Sequence, residues 1–157
     1  MTARTDRLEL DRTFPGSLEE LWAAWTTEDG LAGWWWHTWP DTRYRVDGRP
    51  GGTYRIEAAA NGIAVRGGYL TWNPFTELEF SWIWTEDGVD DPPERVRVTF
   101  TPDGDGTRVH LVHTGPWTTS ESAENYRQGW TFVLDALEAS RTRAVSRPPP
   151  GSMGSHG

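Results

Sequence analysis

The stretch SESAENYRQGWTFVLDALEASRTR, Ser120 to Arg143, decides how the rest of the chain must be arranged. Tyr126, Trp130, Val133, Leu134 and Leu137 fall at i, i+4, i+7, i+8 and i+11, the spacing that lines one face of an α-helix. Thr118 and Glu121 are spaced as a capping box at its start. Arg141 and Arg143 stand at its end, where the helix dipole favours cations. At the helical rise these residues reach about 36 Å, the width of a small domain. No other stretch carries so long a helical pattern, and most of what precedes it alternates as strand does. A lone long helix has to bury its apolar stripe, and a curved sheet is the available surface.

The preceding chain supplies that sheet. Strands are predicted over Thr5 to Thr13, Asp41 to Val46, Thr53 to Ala59, Val65 to Trp72, Glu77 to Trp84, Arg95 to Thr101 and Thr107 to His113. Turn-rich joints separate them: Asp47 to Gly52, Asn61-Gly62, Asn73-Pro74, Asp87 to Pro93 and Asp103 to Gly106. Short joints between strands imply antiparallel pairing. Alternation then assigns faces: Leu78, Phe80, Trp82 and Trp84 share one side, as do Val96, Val98 and Phe100, Val109, Leu111 and His113, and Tyr54 and Ile56. Their neighbours are largely Arg and Glu, so one side of the sheet is wet. Leu70 and Trp72 are expected to face inward, against a competing claim from Tyr69. After the first strand, Ser17 and Glu20 form a second capping box for a helix with Leu18, Leu21, Trp22 and Trp25 on its apolar face, and a further short helix is predicted over Glu28 to Trp34. Trp34-Trp35-Trp36-His37-Thr38-Trp39-Pro40 fits neither period. Four Trp in six residues cannot all face one core from a helix or a strand, so some are expected to cap a pocket or lie exposed.

Composition narrows the functional classes. The chain of 157 residues is long enough for one well-packed domain, read as residues 1–147, with a Pro, Gly and Ser rich tail at 148–157 expected to be disordered. Its net charge is −8, all 15 basic residues are Arg, and no basic run occurs, which speaks against nucleic acid or an anionic membrane as partner. Without Lys there is no Schiff-base chemistry, and without Cys no thiol nucleophile, disulfide or thiolate metal site. No apolar run approaches a membrane span, and Met1 to Arg12 does not read as a signal peptide, so a cytoplasmic protein is expected, monomeric or homodimeric. The 11 Trp carry much of the burial potential.

The order strand, two short helices, long meander and long C-terminal helix resembles the helix-grip fold of the SRPBCC/START superfamily, the α+β architecture of the birch-pollen allergens. Within it the chain is similar to the branch named after the activator of the ninety-kilodalton heat-shock protein ATPase. The resemblance rests on Leu18 to Thr26, Leu31 to Trp35, Arg49 to Tyr54, Gly67 to Pro74, Leu78 to Trp82, Gly106 to Gly115, and Gly129-Trp130 through Leu134 to Leu137. It covers roughly Arg7 to Ala144. It implies a curved antiparallel sheet of about seven strands gripping the long helix, with a cavity between them. It implies no single activity: relatives include lipid carriers, hormone receptors and polyketide cyclases, and co-chaperone action does not follow from the branch name.

The expected cavity wall is Trp34, Tyr54, Trp72, Phe80, Trp82, Trp84, Phe100, His113, Tyr126, Trp130 and Leu134. His113, on the inward face at the end of the last strand, reads either as a polar anchor or general base at the cavity mouth or as a hydrogen-bonded core histidine, and the second is preferred. Tyr69, with Arg66, is a weaker candidate for holding an oxyanion. His110 and His113 look like a metal pair, but three residues apart on a strand they face opposite ways. No metal and no cofactor is expected. Three functions follow: a binding protein for a hydrophobic or aromatic small molecule, a cyclase, dehydratase or hydrolase using His113 or Tyr69 in the same cavity, and a chaperone or regulator partner module. The last predicts an exposed apolar patch at Trp35 to Trp39.

Overall fold

The alternating stretches zip into one antiparallel sheet, seen in a computed structural model that describes residues 7–146. The strands are β1 (Arg7–Pro15), β2 (Thr42–Val46), β3 (Thr53–Ala58), β4 (Ile63–Asn73), β5 (Glu77–Glu86), β6 (Val89–Asp90), β7 (Glu94–Asp103) and β8 (Gly106–Thr114). The helices are α1 (Leu18–Thr26), α2 (Glu28–Ala32) and α3 (Ser120–Ser146). In space the sheet runs β1-β8-β7-β5-β4-β3-β2, with β6 attached to β5. This is the α+β helix-grip architecture, with one strand more than expected: β6 lies in the segment that reads as a turn, Asp87 to Pro93. The first strand ends later than its break signal suggests, because Pro15 closes an edge strand opposite Gly106 and the chain turns only at Gly16 (φ 123°). Thr5, Asp6 and the segment 148–157 lie outside the described residues. Among the described residues no helix is long and apolar enough to cross a membrane.

Both sheet faces behave as alternation requires. Leu78, Phe80, Trp82, Val96, Val98, Phe100, Val109 and Leu111 are buried on the inner side. Ion pairs cross the outer side, Arg97 to Glu77 at 2.6 Å and Arg66 to Asp90 at 2.8 Å among them. One strand departs from strict alternation. Tyr69 pairs with Phe80 and Thr71 with Glu79, so Leu70 is an extra residue in β4. The bulge turns Tyr69 inward at 6% exposure and Leu70 outward at 51%, which corrects the expected inward Leu70.

Helix α3 lays Trp130, Val133, Leu134 and Leu137 into the sheet, with Tyr126 half-buried at the near end. It begins at Ser120, and the Glu121 N–H approaches the Thr119 hydroxyl at 3.4 Å, so the expected Thr118 cap gives way to Thr119. Arg141 fastens its far end. The guanidinium donates to the Pro15 carbonyl at 3.3 Å and to Glu20 at 2.9 Å. The other Glu20 oxygen accepts from the Ser17 N–H at 2.9 Å and completes the α1 capping box with the Ser17 hydroxyl.

The Trp-rich segment differs most from expectation. Helix α2 stops at Ala32, and Trp34, Trp35 and Trp36 are all at least nine-tenths buried. The chain achieves this by following neither period. Trp36 adopts a left-handed conformation (φ 49°), and the Thr42 hydroxyl holds the turn by donating to the carbonyls of Trp36 (3.1 Å) and Trp39 (2.8 Å). The Trp34 indole donates to Ala24 O at 2.9 Å. Three consecutive rings thus reach the interior, and the exposed patch predicted for Trp35 to Trp39 is reduced to half-buried Trp39.

Candidate functional site

A gap in sheet pairing positions the site. Strand β7 pairs with β5 only as far as Trp82, opposite Glu94, and the two-residue β6 takes over at Thr85 and Glu86. Where β5 loses its long neighbour, a cleft of about 520 Å³ opens between β5, the Trp-rich turn and the first half of α3. Strand β5 contributes Trp82, Trp84 and Glu86, and Asp91 follows from just beyond β6. The turn contributes Trp35, Trp36 and Trp39. Helix α3 contributes Tyr126, Trp130, Phe132 and Val133, with the polar Ser122 and Asn125 nearer its start. Gly129 completes that wall, and a Cβ built there would meet nothing within 4 Å. A side chain is missing where the helix passes the opening.

The aromatic walls brace one another. Trp36 stacks on Trp39 at 5.3 Å and Trp39 on Phe132 at 6.0 Å. Trp36 meets Trp84 edge-on at 5.8 Å, and Trp82 and Trp84 lie nearly parallel at 6.5 Å. Deeper in, Trp130 contacts Trp25, Trp35 and Trp82 with centroids between 5.1 and 5.9 Å. Such edge-on and offset pairs suit the ring quadrupoles and hold each rotamer in place.

Behind this wall runs a buried polar chain. The Trp130 indole donates to His113 Nδ1 at 2.9 Å, and His113 Nε2 lies 2.8 Å from Glu94 Oε1. Trp117 donates to the second Glu94 oxygen at 2.9 Å, and the Trp82 indole donates to the Tyr126 hydroxyl at 3.3 Å. The indole N–H is a donor only, so Nδ1 must accept. The proton of the neutral ring therefore sits on Nε2 and is donated to Glu94. Burial holds His113 below its ordinary value of 6.5, with the Glu94 carboxylate opposing it, which is consistent with a neutral ring. Burial also pushes the Tyr126 hydroxyl well above its usual value, with Glu94 adding to it.

Of the residues singled out from sequence, Trp82, Trp84, Tyr126 and Trp130 line the cleft together. Tyr54 and Phe80 border a separate void of about 20 Å³, where Tyr69, Trp25 and Trp35 also lie. Trp34, Trp72, Phe100 and Leu134 pack elsewhere in the core; Trp72 and Phe100 both meet Trp22 edge-on. His113 is fully buried behind the cleft wall. Tyr69 is buried against Tyr54 and Trp72, and burial raises its hydroxyl well above the usual value. Arg66 is not its neighbour in a pocket: it faces the outer side and is held by Asp90 and Thr85. His110, also outside, sits 3.2 Å from Glu9. Sequence reasoning missed Glu94, although it has the inward parity of Val96, Val98 and Phe100, and an acid on an apolar face is itself a signal. It missed Glu86, Asp91, Gly129 and Phe132 because the cleft follows from where β7 ends, which no local pattern encodes.

A profile of activator of Hsp90 ATPase homolog 1-like proteins matches residues 15–140. Solved structures share the fold. MLL2253 from Mesorhizobium loti superposes with a TM-score of 0.73 at 21% identity, covering 87% of this chain and 97% of that one. CalU16 from Micromonospora echinospora gives 0.65 at 23% identity, covering 94% and 79%. DynU16, a protein in the dynemicin biosynthetic locus, gives 0.71 at 19% identity; the match covers 85% of this chain and 46% of DynU16. No curated protein matches the chain in sequence.

Proposed function

The chain belongs to the family of activator of Hsp90 ATPase homolog 1-like proteins, and on that premise we propose that it binds a hydrophobic or aromatic small molecule in the cleft between β5, the Trp-rich turn and α3. The observation that carries this is the cleft itself: about 520 Å³, walled by Trp, Tyr and Phe, with a few polar groups at one side. That volume falls within the range of small-molecule sites, about 300–1,000 Å³, and braced aromatic walls offer contact area at little cost in rotamer freedom. The origin of one structural relative in a natural-product biosynthetic locus is in keeping with a small-molecule role.

Catalysis by His113 has less support. One ring nitrogen accepts from Trp130, the other donates to Glu94, and the side chain has no exposure, so no lone pair faces the cleft. The test is a titration with the neutral dye N-phenyl-1-naphthylamine. The dye should brighten on binding, and Gly129→Leu, which projects a side chain into the opening, should weaken binding at least about tenfold, the scale of one buried hydrophobic side chain. No brightening, or equal affinity in the variant, would rule out this cleft as the site.

A further inference from the structure

We infer that the cleft selects an organic cation, an amine or quaternary ammonium group carried on an aromatic or apolar body. This rests on the reading of the cleft as a small-molecule site and adds the charge of its guest. Three observations converge on it.

The first is the sign of the polar lining. Glu86 and Asp91 are the ionisable groups of the cleft apart from the Tyr126 phenol, and no Arg or His lines it. Among the described residues neither carboxylate is in an ion pair, in a chain whose outer sheet face pairs Arg with Glu and Asp repeatedly. Glu86 accepts only a long contact from the Trp84 indole, 3.3 Å. Carboxylates left without a cation at the edge of a low-dielectric cleft attract one from solution.

The second is a buried carboxylate behind them. Asp91, Ser122 and Tyr126 also line an adjoining recess of about 250 Å³, reached by Glu94 and Trp117. The Glu94 side chain is 5% exposed and receives hydrogen bonds from His113 and Trp117, both from uncharged donors given the His113 tautomer. Among the described residues no Arg is in an ion pair with Glu94. A cation seated near Asp91 would bring a positive charge to it.

The third is the wall. Indole faces carry negative electrostatic potential and attract ammonium groups within about 6 Å of the ring centre. Trp36, Trp39, Trp82 and Trp84 reach the cleft from two different elements, so a cation there would meet rings from both. The net charge of −8 also favours the approach of a cation.

The experiment compares benzyltrimethylammonium with neopentylbenzene, which has the same shape and a neutral carbon in place of nitrogen, by isothermal titration calorimetry at low and high salt. The cation should bind about tenfold more tightly than its isostere, the scale of a desolvated cation–π contact. The preference should shrink at high salt. In the double variant Glu86→Gln/Asp91→Asn, whose side chains are exposed and whose loss does not threaten folding, the ratio of the two affinities should fall several-fold toward one. Equal affinities in the parent protein, or a ratio untouched by the double variant, would overturn the charge preference while leaving an apolar site standing. Binding of neither probe, with no dye uptake, would overturn both.

Discussion

His113 shows how a single residue's surroundings decide its chemistry. An inward histidine at a strand end reads from sequence as base or as core, and its two hydrogen-bond partners, Trp130 and Glu94, choose the second. Replacing it with Leu strands the Trp130 donor and removes one of the Glu94 hydrogen bonds, and should cost about 2–4 kcal/mol in urea unfolding. Its titration has a definite sign. Unfolded, the ring takes a proton near 6.5; folded, burial delays protonation to lower pH. Between those values the unfolded chain holds the extra proton, so stability falls as pH drops below about 6.5 and is unaffected above it. His113→Gln removes the titration while keeping an amide that donates and accepts, and should flatten that part of the pH profile. Nitrogen NMR at neutral pH should find Nε2 protonated and Nδ1 bare; the opposite tautomer would break the buried chain as described.

Among the elements, α3 was the most legible in sequence, because five apolar residues at helical spacing leave one way to pack. The β-strands were nearly as legible. Their failures are instructive: the Leu70 bulge shifts parity by one residue, and the Trp34–Trp36 turn buries three neighbours through a left-handed Trp36 that no periodicity anticipates. Glycines in these elements make opposite predictions. Gly129 sits exposed within α3 with open space around a Cβ, so Gly129→Ala should raise stability by about 0.5–1 kcal/mol. Gly67 in β4 has the Ser81 carbonyl oxygen 1.9 Å from where a Cβ would stand. Gly67→Ala should therefore cost about 1–3 kcal/mol, and its urea midpoint should move the other way. The glycine that weakens the helix there is also the one that leaves the cleft open at that point.

For the whole molecule, the sequence carried the helix-grip plan but not the position of its opening. That position depends on β7 releasing β5 after Trp82 while β6 recaptures it at Thr85, a matter of strand lengths in three dimensions. A guest that binds only the folded chain must stabilise all of it: at a hundred times its dissociation constant, a probe of the cleft should add about 2.7 kcal/mol to unfolding, and a tenfold weaker site in Gly129→Leu should cut that gain to about 1.4 kcal/mol at the same concentration. The interlocked rings have a photophysical consequence as well. From Trp25 through Trp130, Trp35, Trp36 and Trp39, and from Trp82 to Trp84, successive indoles lie within 6.5 Å of one another. At such spacing excitation absorbed by any of them should pass along the row, and Trp39 and Trp84, half-buried at the rim, are the members open to water. The interior should therefore act as an antenna, and a molecule covering that threshold should shift the emission of the whole core to the blue.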